Sequence, residues 1–200
     1  GEGEGEGGNE EADLRFSVPR QPTAAPSLIE LTRCWDGRTF DGVKLYHVAV
    51  KREEWKLETL LDLLETLHPA QVVVFCNSRE TACSLAQQLR QRDVLVSALP
   101  AGPRQQAERE VLTREFRAGA SRLLITCDAP SGSQDAAIVI NYELPSREMY
   151  LRCVGRTGKF GRRGIAISLV TEASRCQLED LAQLFQIEIA ELPMWIPEFH

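Results

Sequence analysis

Residues Gln71–Gln91 read QVVVFCNSRETACSLAQQLRQ, and this stretch decides the fold. Its first six residues, QVVVFC, form a continuous apolar run without alternation, the mark of a strand buried on both faces. The run ends at Asn77, and helical spacing takes over from Ser78 to Gln91. Asn77 reads as the cap of that helix, with Glu80 three residues on completing a capping box. A doubly buried strand leading straight into a helix belongs to a parallel sheet, because parallel neighbours need a crossover and a helix supplies it.

Outward from this stretch the same alternation repeats. On its C-terminal side, VLVSAL (94–99) reads as a strand, and AGP (101–103) breaks the chain. A polar amphipathic helix is expected over 105–117, stopped by Gly119. RLLITC (122–127) is a second buried strand, and the turn-rich DAPSGSQD (128–135) leads into AIVIN (137–141). A short helix after Pro145, a strand GIAISLV (164–170) and a helix over 172–185 follow. On the N-terminal side, VKLYHVAV (43–50) alternates as a strand does. EEWKLETLLDLLETL (53–67) puts Trp55, Leu57, Leu60, Leu61, Leu64 and Leu67 at helical spacing. The expected architecture is α/β: a mostly parallel sheet with helices on both faces. Ligands of such sheets bind beyond the carboxyl ends of the strands. The loops after Cys76, Leu99 and Cys127 are therefore the places to look for chemistry.

Ahead of the folded part lies a different kind of sequence. GEGEGEGGNEEAD (1–13) joins glycine backbone entropy to glutamate repulsion and is expected to be a disordered, solubilising tail. Residues 14–42 carry Pro19, Pro22 and Pro26 without sustained periodicity, a linker with at most a short helix around Leu28–Arg33. The expected division is tail and linker over 1–38 and one folded domain over 39–200. The net charge of −6 belongs to the tail: six of the 29 acidic residues lie in it, and the other 23 balance the 23 Lys and Arg. Overall sign thus says little about partners, and local clusters say more. Six cysteines without a C-x-x-C pair suit free thiols in a reducing compartment. The three histidines show no metal-ligand spacing, so no metal site is expected. No apolar run has membrane length and no signal-peptide pattern opens the sequence, which points to a soluble intracellular protein, cytoplasmic and/or nuclear.

One segment stands out chemically. YLRCVGRTGKFGRRG (150–164) has Gly155, Gly158, Gly161 and Gly164 at every third position, with Arg152, Arg156, Lys159, Arg162 and Arg163 between them. Glycines let a backbone approach a phosphate, and Arg156 and Lys159 supply charge three residues apart. The alternative is a solvated basic turn, which suits Arg162 and Arg163 better. At CNSRE (76–80), N–H groups at the helix start, with Asn77 and Ser78, can hold an anion; helix capping alone explains Asn77 equally well. Gln106 and Arg109 share a helical face, which by spacing alone is a solvated face. No G-x-x-x-x-G-K-[ST], no acidic D-E-A-D cluster, no H-E-x-x-H and no G-x-S-x-G occurs. The residues therefore describe an α/β domain with a cationic anion site and no complete catalytic apparatus.

The order of segments then carries a resemblance. From about Thr39 to Pro193, VAVKREEWKLETL (48–60), VVVFCNS (72–78), REFRAGASRLLIT (114–126), VINYELPSRE (139–148) and VGRTGKFGRRGIAISLV (154–170) stand as in one family. The chain resembles the C-terminal RecA-like domain of DEAD-box RNA helicases, most of all the eukaryotic translation initiation factor 4A group. The resemblance implies a RecA-like fold of the P-loop NTPase superfamily that lacks its own P-loop. It implies half of a machine whose other RecA-like domain carries the P-loop, the magnesium-binding acids and the catalytic carboxylate. Arg156 falls on the central arginine of the family's H-R-x-G-R-x-G-R and Lys159 on its last. The implied nucleotide-binding residues are Asp135, Arg156 and Lys159, the last two arginine-finger-like. The implied RNA-binding residues are Asn77, Ser78, Gly102, Gln106, Arg109 and Thr126. ATP with magnesium is expected only where an N-terminal domain joins this one, and the chain alone is expected to be inactive.

Departures from the pattern are concentrated at the ligand-facing loops. Arg152-Cys153 replaces the opening His-Arg, and Lys159 keeps a charge but loses the guanidinium fork. Ala101-Gly102-Pro103 stands for His-Gly-Asp, and a proline offers no N–H. Cys127-Asp128 stands for Thr-Asp, and Gly132-Ser133-Gln134-Asp135 for Arg-Gly-x-Asp, with about three residues missing after it. Two functions fit. One is the C-terminal half of an RNA helicase, touching RNA backbone and ATP phosphates without being an autonomous ATPase. The other is a helicase-derived interaction module that docks on a helical-repeat scaffold of the translation-initiation type.

Overall fold

The structure, a computed structural model, describes residues 43–99, 106–128, 136, 138–154, 157 and 164–193. The expected tail and linker, including the short helix at Leu28–Arg33, lie outside the described residues. Seven strands form one sheet: β1 (Val43–Ala49), β2 (Val72–Phe75), β3 (Val96–Ala98), β4 (Leu123–Thr126), β5 (Ile138–Asn141), β6 (Gly164–Val170) and β7 (Ala190–Glu191). Their order is β3-β4-β2-β5-β6-β1-β7, and every pairing is parallel. The helices are α1 (Lys56–Leu67), α2 (Arg79–Arg90), α3 (Gln106–Arg117), α4 (Arg147–Val154) and α5 (Arg175–Phe185).

The reading of QVVVFC as a doubly buried strand holds: all four residues of β2 are buried, and β2 lies between β4 and β5. Its alternation sorts the core into faces. Val72 and Val74 pack with Leu57, Leu60 and Leu63 of α1 and Leu85 and Leu89 of α2. Val73 and Phe75 point the other way, toward Phe116 of α3 and Cys153 of α4. Farther along that second face, Leu45 and Val170 meet Tyr150 of α4 and Leu178, Leu181 and Phe185 of α5. Helices thus cover both faces, which is the condition under which a parallel sheet is stable in water.

Three local expectations are corrected. The α2 cap is Ser78, not Asn77: Ser78 has extended backbone angles and its Oγ accepts the Thr81 N–H at 3.0 Å. Asn77 is drawn away by the β5 loop, donating its side-chain amide to Leu144 O at 3.0 Å and its backbone N–H to Glu143 Oε2 at 2.8 Å. The expected helices over 53–67 and 172–185 each begin as a single 3-10 turn, Glu53–Trp55 and Glu172–Ser174. The second turn is held by a capping box, with Ser174 Oγ accepting the Thr171 N–H at 3.0 Å. β7 is a strand of two residues, too short to leave a periodicity, and it forms because His47 O accepts the Leu192 N–H at 2.9 Å. Gly119 ends α3 as expected, at φ +79°, where a side chain would be strained.

Candidate nucleic-acid interface at the carboxyl edge of the sheet

The exits of β2, β4, β5 and β6 share one edge, because all the strands run the same way. At the β2 exit, fully buried Cys76 donates its N–H to Thr126 O at 2.9 Å. Asn77 and Ser78 follow immediately, and Asn77 ties this loop to the β5 exit through Glu143 and Leu144. Tyr142 N–H, from the same β5 exit, donates to Phe75 O at 2.9 Å.

At the neighbouring β4 exit, Thr126 is buried and its hydroxyl serves a tight turn. Thr126 Oγ1 accepts the Asp128 N–H at 3.2 Å and donates to Asp128 O at 3.1 Å. That turn aims the Asp128 carboxylate at α3, where Arg109 donates to it as an ion pair. Arg109 is buried, so the expectation of a solvated helical face fails at this residue. The reason is tertiary: α3 packs on the sheet, and a carboxylate from β4 meets the guanidinium there. Gln106 is the first residue of α3, one turn before Arg109 on the same side of the helix.

A second polar knot at this edge escaped the sequence reading. Lys56 is 3% exposed. Its ammonium lies 2.8 Å from Glu53 Oε2 and 5.9 Å from the centre of the Tyr142 ring. Glu53 Oε1 accepts from Thr171 Oγ1 at 3.0 Å, so this knot links the 3-10 turn before α1 to the end of β6. Burial raises the Glu53 carboxyl pKa, but hydrogen bonds from Lys56 and Thr171 and the Lys56 charge hold it below the usual value. Burial pushes the Tyr142 phenol up to about 12, with Cys76, Glu53 and Glu143 adding to the rise. The available signal was a lysine at the start of a leucine-rich helix, where a charge on the packed side demands a partner. Beside the knot, a cavity of 440 Å³ opens between β1, β6 and α5, lined by His47, Val50, Lys51, Thr171, Arg175 and Leu178 among others.

Of the expected site residues, Asn77, Ser78, Thr126 and Arg109 stand together at the exits of β2 and β4 and the adjoining helices. Gly102, Asp135, Arg156 and Lys159 lie outside the described residues. Ala136 and Thr157 are described, and they pair as an isolated parallel bridge. The positions that follow Asp135 and Arg156 are therefore in contact. Thr157 is buried and its hydroxyl donates to Val154 O at 2.7 Å, anchoring the chain as it leaves α4. Among the described residues no group of three or more His, Cys, Asp or Glu is placed to hold a metal ion.

Residues 55–161 match the helicase conserved C-terminal domain family, to which the chain belongs, and the seven-stranded parallel sheet has the fold of the C-terminal RecA-like domain of DEAD-box proteins. The chain is 45% identical over 163 residues to an ATP-dependent RNA helicase eIF4A of Mycosarcoma maydis, covering 80% of this chain and 39% of that protein. To the eukaryotic initiation factor 4A of Drosophila melanogaster it is 40% identical over 186 residues, covering 86% of this chain and 46% of that one. The chain thus spans less than half the length of these relatives. Among solved structures, the C-terminal domain of the DEAD-box protein Dbp5 superposes with a TM-score of 0.69 at 29% identity, covering 80% of this chain and 94% of that one. Saccharomyces cerevisiae Dbp5 bound to RNA and ADP BeF3 gives 0.71 at 31% identity, covering 77% and 42%.

Proposed function

We propose that this domain supplies half of an RNA-backbone groove and a set of ATP-phosphate contacts to an eIF4A-like helicase, and does not turn over ATP by itself. The observation that carries this reading is the placement of Asn77, Ser78, Thr126 and Arg109 on one edge, at the exits of two adjacent strands. By the family resemblance Gly102 and Gln106 would join the same RNA-binding group. Arg156 and Lys159, with Asp135, would face the nucleotide across the interdomain cleft. The Ala136–Thr157 bridge supports that convergence. The chain has no P-loop and no acidic motif of its own. ATP with magnesium would therefore be held only where a second RecA-like domain joins this one and supplies the phosphate loop, the metal-binding acids and the base for hydrolysis. The setting is intracellular, where RNA is met.

Fluorescence anisotropy with a single-stranded RNA tests this. Contact with three phosphates gives a salt slope of about −2, so affinity should fall roughly 20-fold between about 50 and 200 mM salt. Absence of binding at low ionic strength, or binding indifferent to salt, would refute the RNA-groove reading. ATP turnover by the purified 200-residue chain would refute the half-machine reading.

One observation favours the second reading, a helicase-derived module on a helical-repeat scaffold of the translation-initiation type. Asp128 already holds Arg109, and the Glu143 carboxylate already takes the Asn77 N–H, so two cationic or donor groups are committed internally. Solved complexes of Dbp5 with Gle1 and Nup159 are among the structures this fold superposes on, which shows such a domain in a protein assembly. Capture of a purified helical-repeat scaffold together with failure to bind RNA would select this reading.

A further inference from the structure

Cys76 and Cys127 face each other across two adjacent strands. β2 and β4 run parallel with Val72 opposite Leu123 and Phe75 opposite Thr126. The Cys76 N–H to Thr126 O bond carries the ladder one step further and sets residue 76 opposite residue 127. Register-matched neighbours lie about 4.8 Å apart and project to the same face. That spacing falls within the roughly 4.4–6.8 Å window in which two Cα atoms can be bridged by a disulfide. Both thiols lie on the α1–α2 face, where Cys127 packs against the buried cluster that contains Cys76. Access is graded: Cys76 is fully buried, while Cys127 beside it is partly exposed. A partly exposed thiol beside a buried one has the layout of an entry cysteine and its resolving partner.

We propose that Cys76 and Cys127 form an oxidisable dithiol that closes to a disulfide across the exits of β2 and β4. With hydrogen peroxide as oxidant, the Cys127 sulfur attacks one peroxide oxygen. The O–O bond breaks, and the departing hydroxide takes up a proton and leaves as water. Cys127 is then a sulfenic acid. The Cys76 sulfur attacks the Cys127 sulfur, the S–O bond breaks, and a second water leaves with the Cys76 proton. Two thiols have given up two electrons and two protons, and one peroxide has become two waters. Burial raises the pKa of both thiols, with Glu143 adding to the rise at Cys76 and Asp128 at Cys127. The reaction is therefore slow at neutral pH and quickens as pH rises. Cys83 of α2, exposed and electrostatically coupled to Cys127, is the competing thiol, but it lacks the cross-strand register. The bridge would join the strand ends that carry Asn77 and Ser78 on one side and Asp128 on the other. On the RNA-groove reading above, on which this consequence alone rests, it should weaken RNA binding several-fold.

The test treats the full chain with graded peroxide at pH 8, blocks free thiols with a maleimide, and maps peptides by mass spectrometry. The expected product is one linked peptide pair, Cys76 with Cys127, while Cys83 and Cys176 remain alkylated. The pair should vanish in Cys127→Ser, which keeps the small polar shape, and return to free thiols with dithiothreitol. A Cys83–Cys127 link, overoxidation of Cys127 with Cys76 still free, or no reaction would each overturn the proposal. RNA affinity is then compared before and after oxidation. A bridged chain that binds as tightly as the reduced one refutes the functional consequence. A reduced chain that binds no RNA refutes the RNA reading and leaves the dithiol standing.

Discussion

Replacing Asp128 with Asn isolates the ion pair at the centre of the candidate interface. The Arg109 side chain is 9% exposed and the Asp128 side chain 45%, so one charge is buried and the other half in water. Breaking a fully buried pair costs about 3–5 kcal/mol, and a surface pair about 0–1. A hydrogen bond to a charged group is worth about 1.5–3 kcal/mol. Solvent reaches Asp128, so the loss in Asp128→Asn should be about 2 kcal/mol. The Thr126 bonds to Asp128 go to its backbone N–H and carbonyl, and they survive the substitution. For a chain of this size, that loss lowers the melting temperature by roughly 4–8 °C. Urea unfolding followed by circular dichroism, with an unchanged slope, measures it. A double-mutant cycle with Arg109→Gln should give a coupling of at least about 1 kcal/mol. A loss under about 0.5 kcal/mol, or strictly additive single substitutions, would show that the pair is screened and does not hold α3 to the sheet.

Other expectations follow from the same geometry. Leu60 is fully buried between α1 and the sheet, so Leu60→Ala should cost about 3 kcal/mol by chemical denaturation. Ser78→Ala should cost about 1 kcal/mol and raise amide hydrogen exchange in the first turn of α2, marking Ser78 as the cap. The Glu53 pKa is lower folded than unfolded, so the stability it contributes is present above about pH 4.5 and is lost as pH falls through the folded value. The acid limb of stability against pH should flatten in Glu53→Gln, and an unchanged limb would assign acid sensitivity to other carboxylates.

Much of the fold is local information. Val72–Phe75 is a continuous apolar run, Leu123–Thr126 and Gly164–Val170 are mostly apolar, and the leucines of 57–67 repeat with helical period, so element types follow from side-chain spacing alone. A mostly parallel sheet follows in turn, since strand and helix alternate along most of the chain. The family was likewise legible, because the order of segments is a linear property. Partner choice was not. Asn77 has the chemistry of a cap, yet Glu143 and Leu144, more than sixty residues away, take its donors and leave the cap to Ser78. Arg109 sits in a polar helix, yet Asp128 and the packing of α3 bury it. Glu53 meets Thr171 across 118 residues, and Cys76 meets Cys127 only through strand order. Periodicity decides which way a side chain points relative to its own element. What stands opposite it depends on which strands become neighbours and in what register, and that is set only when the whole sheet assembles.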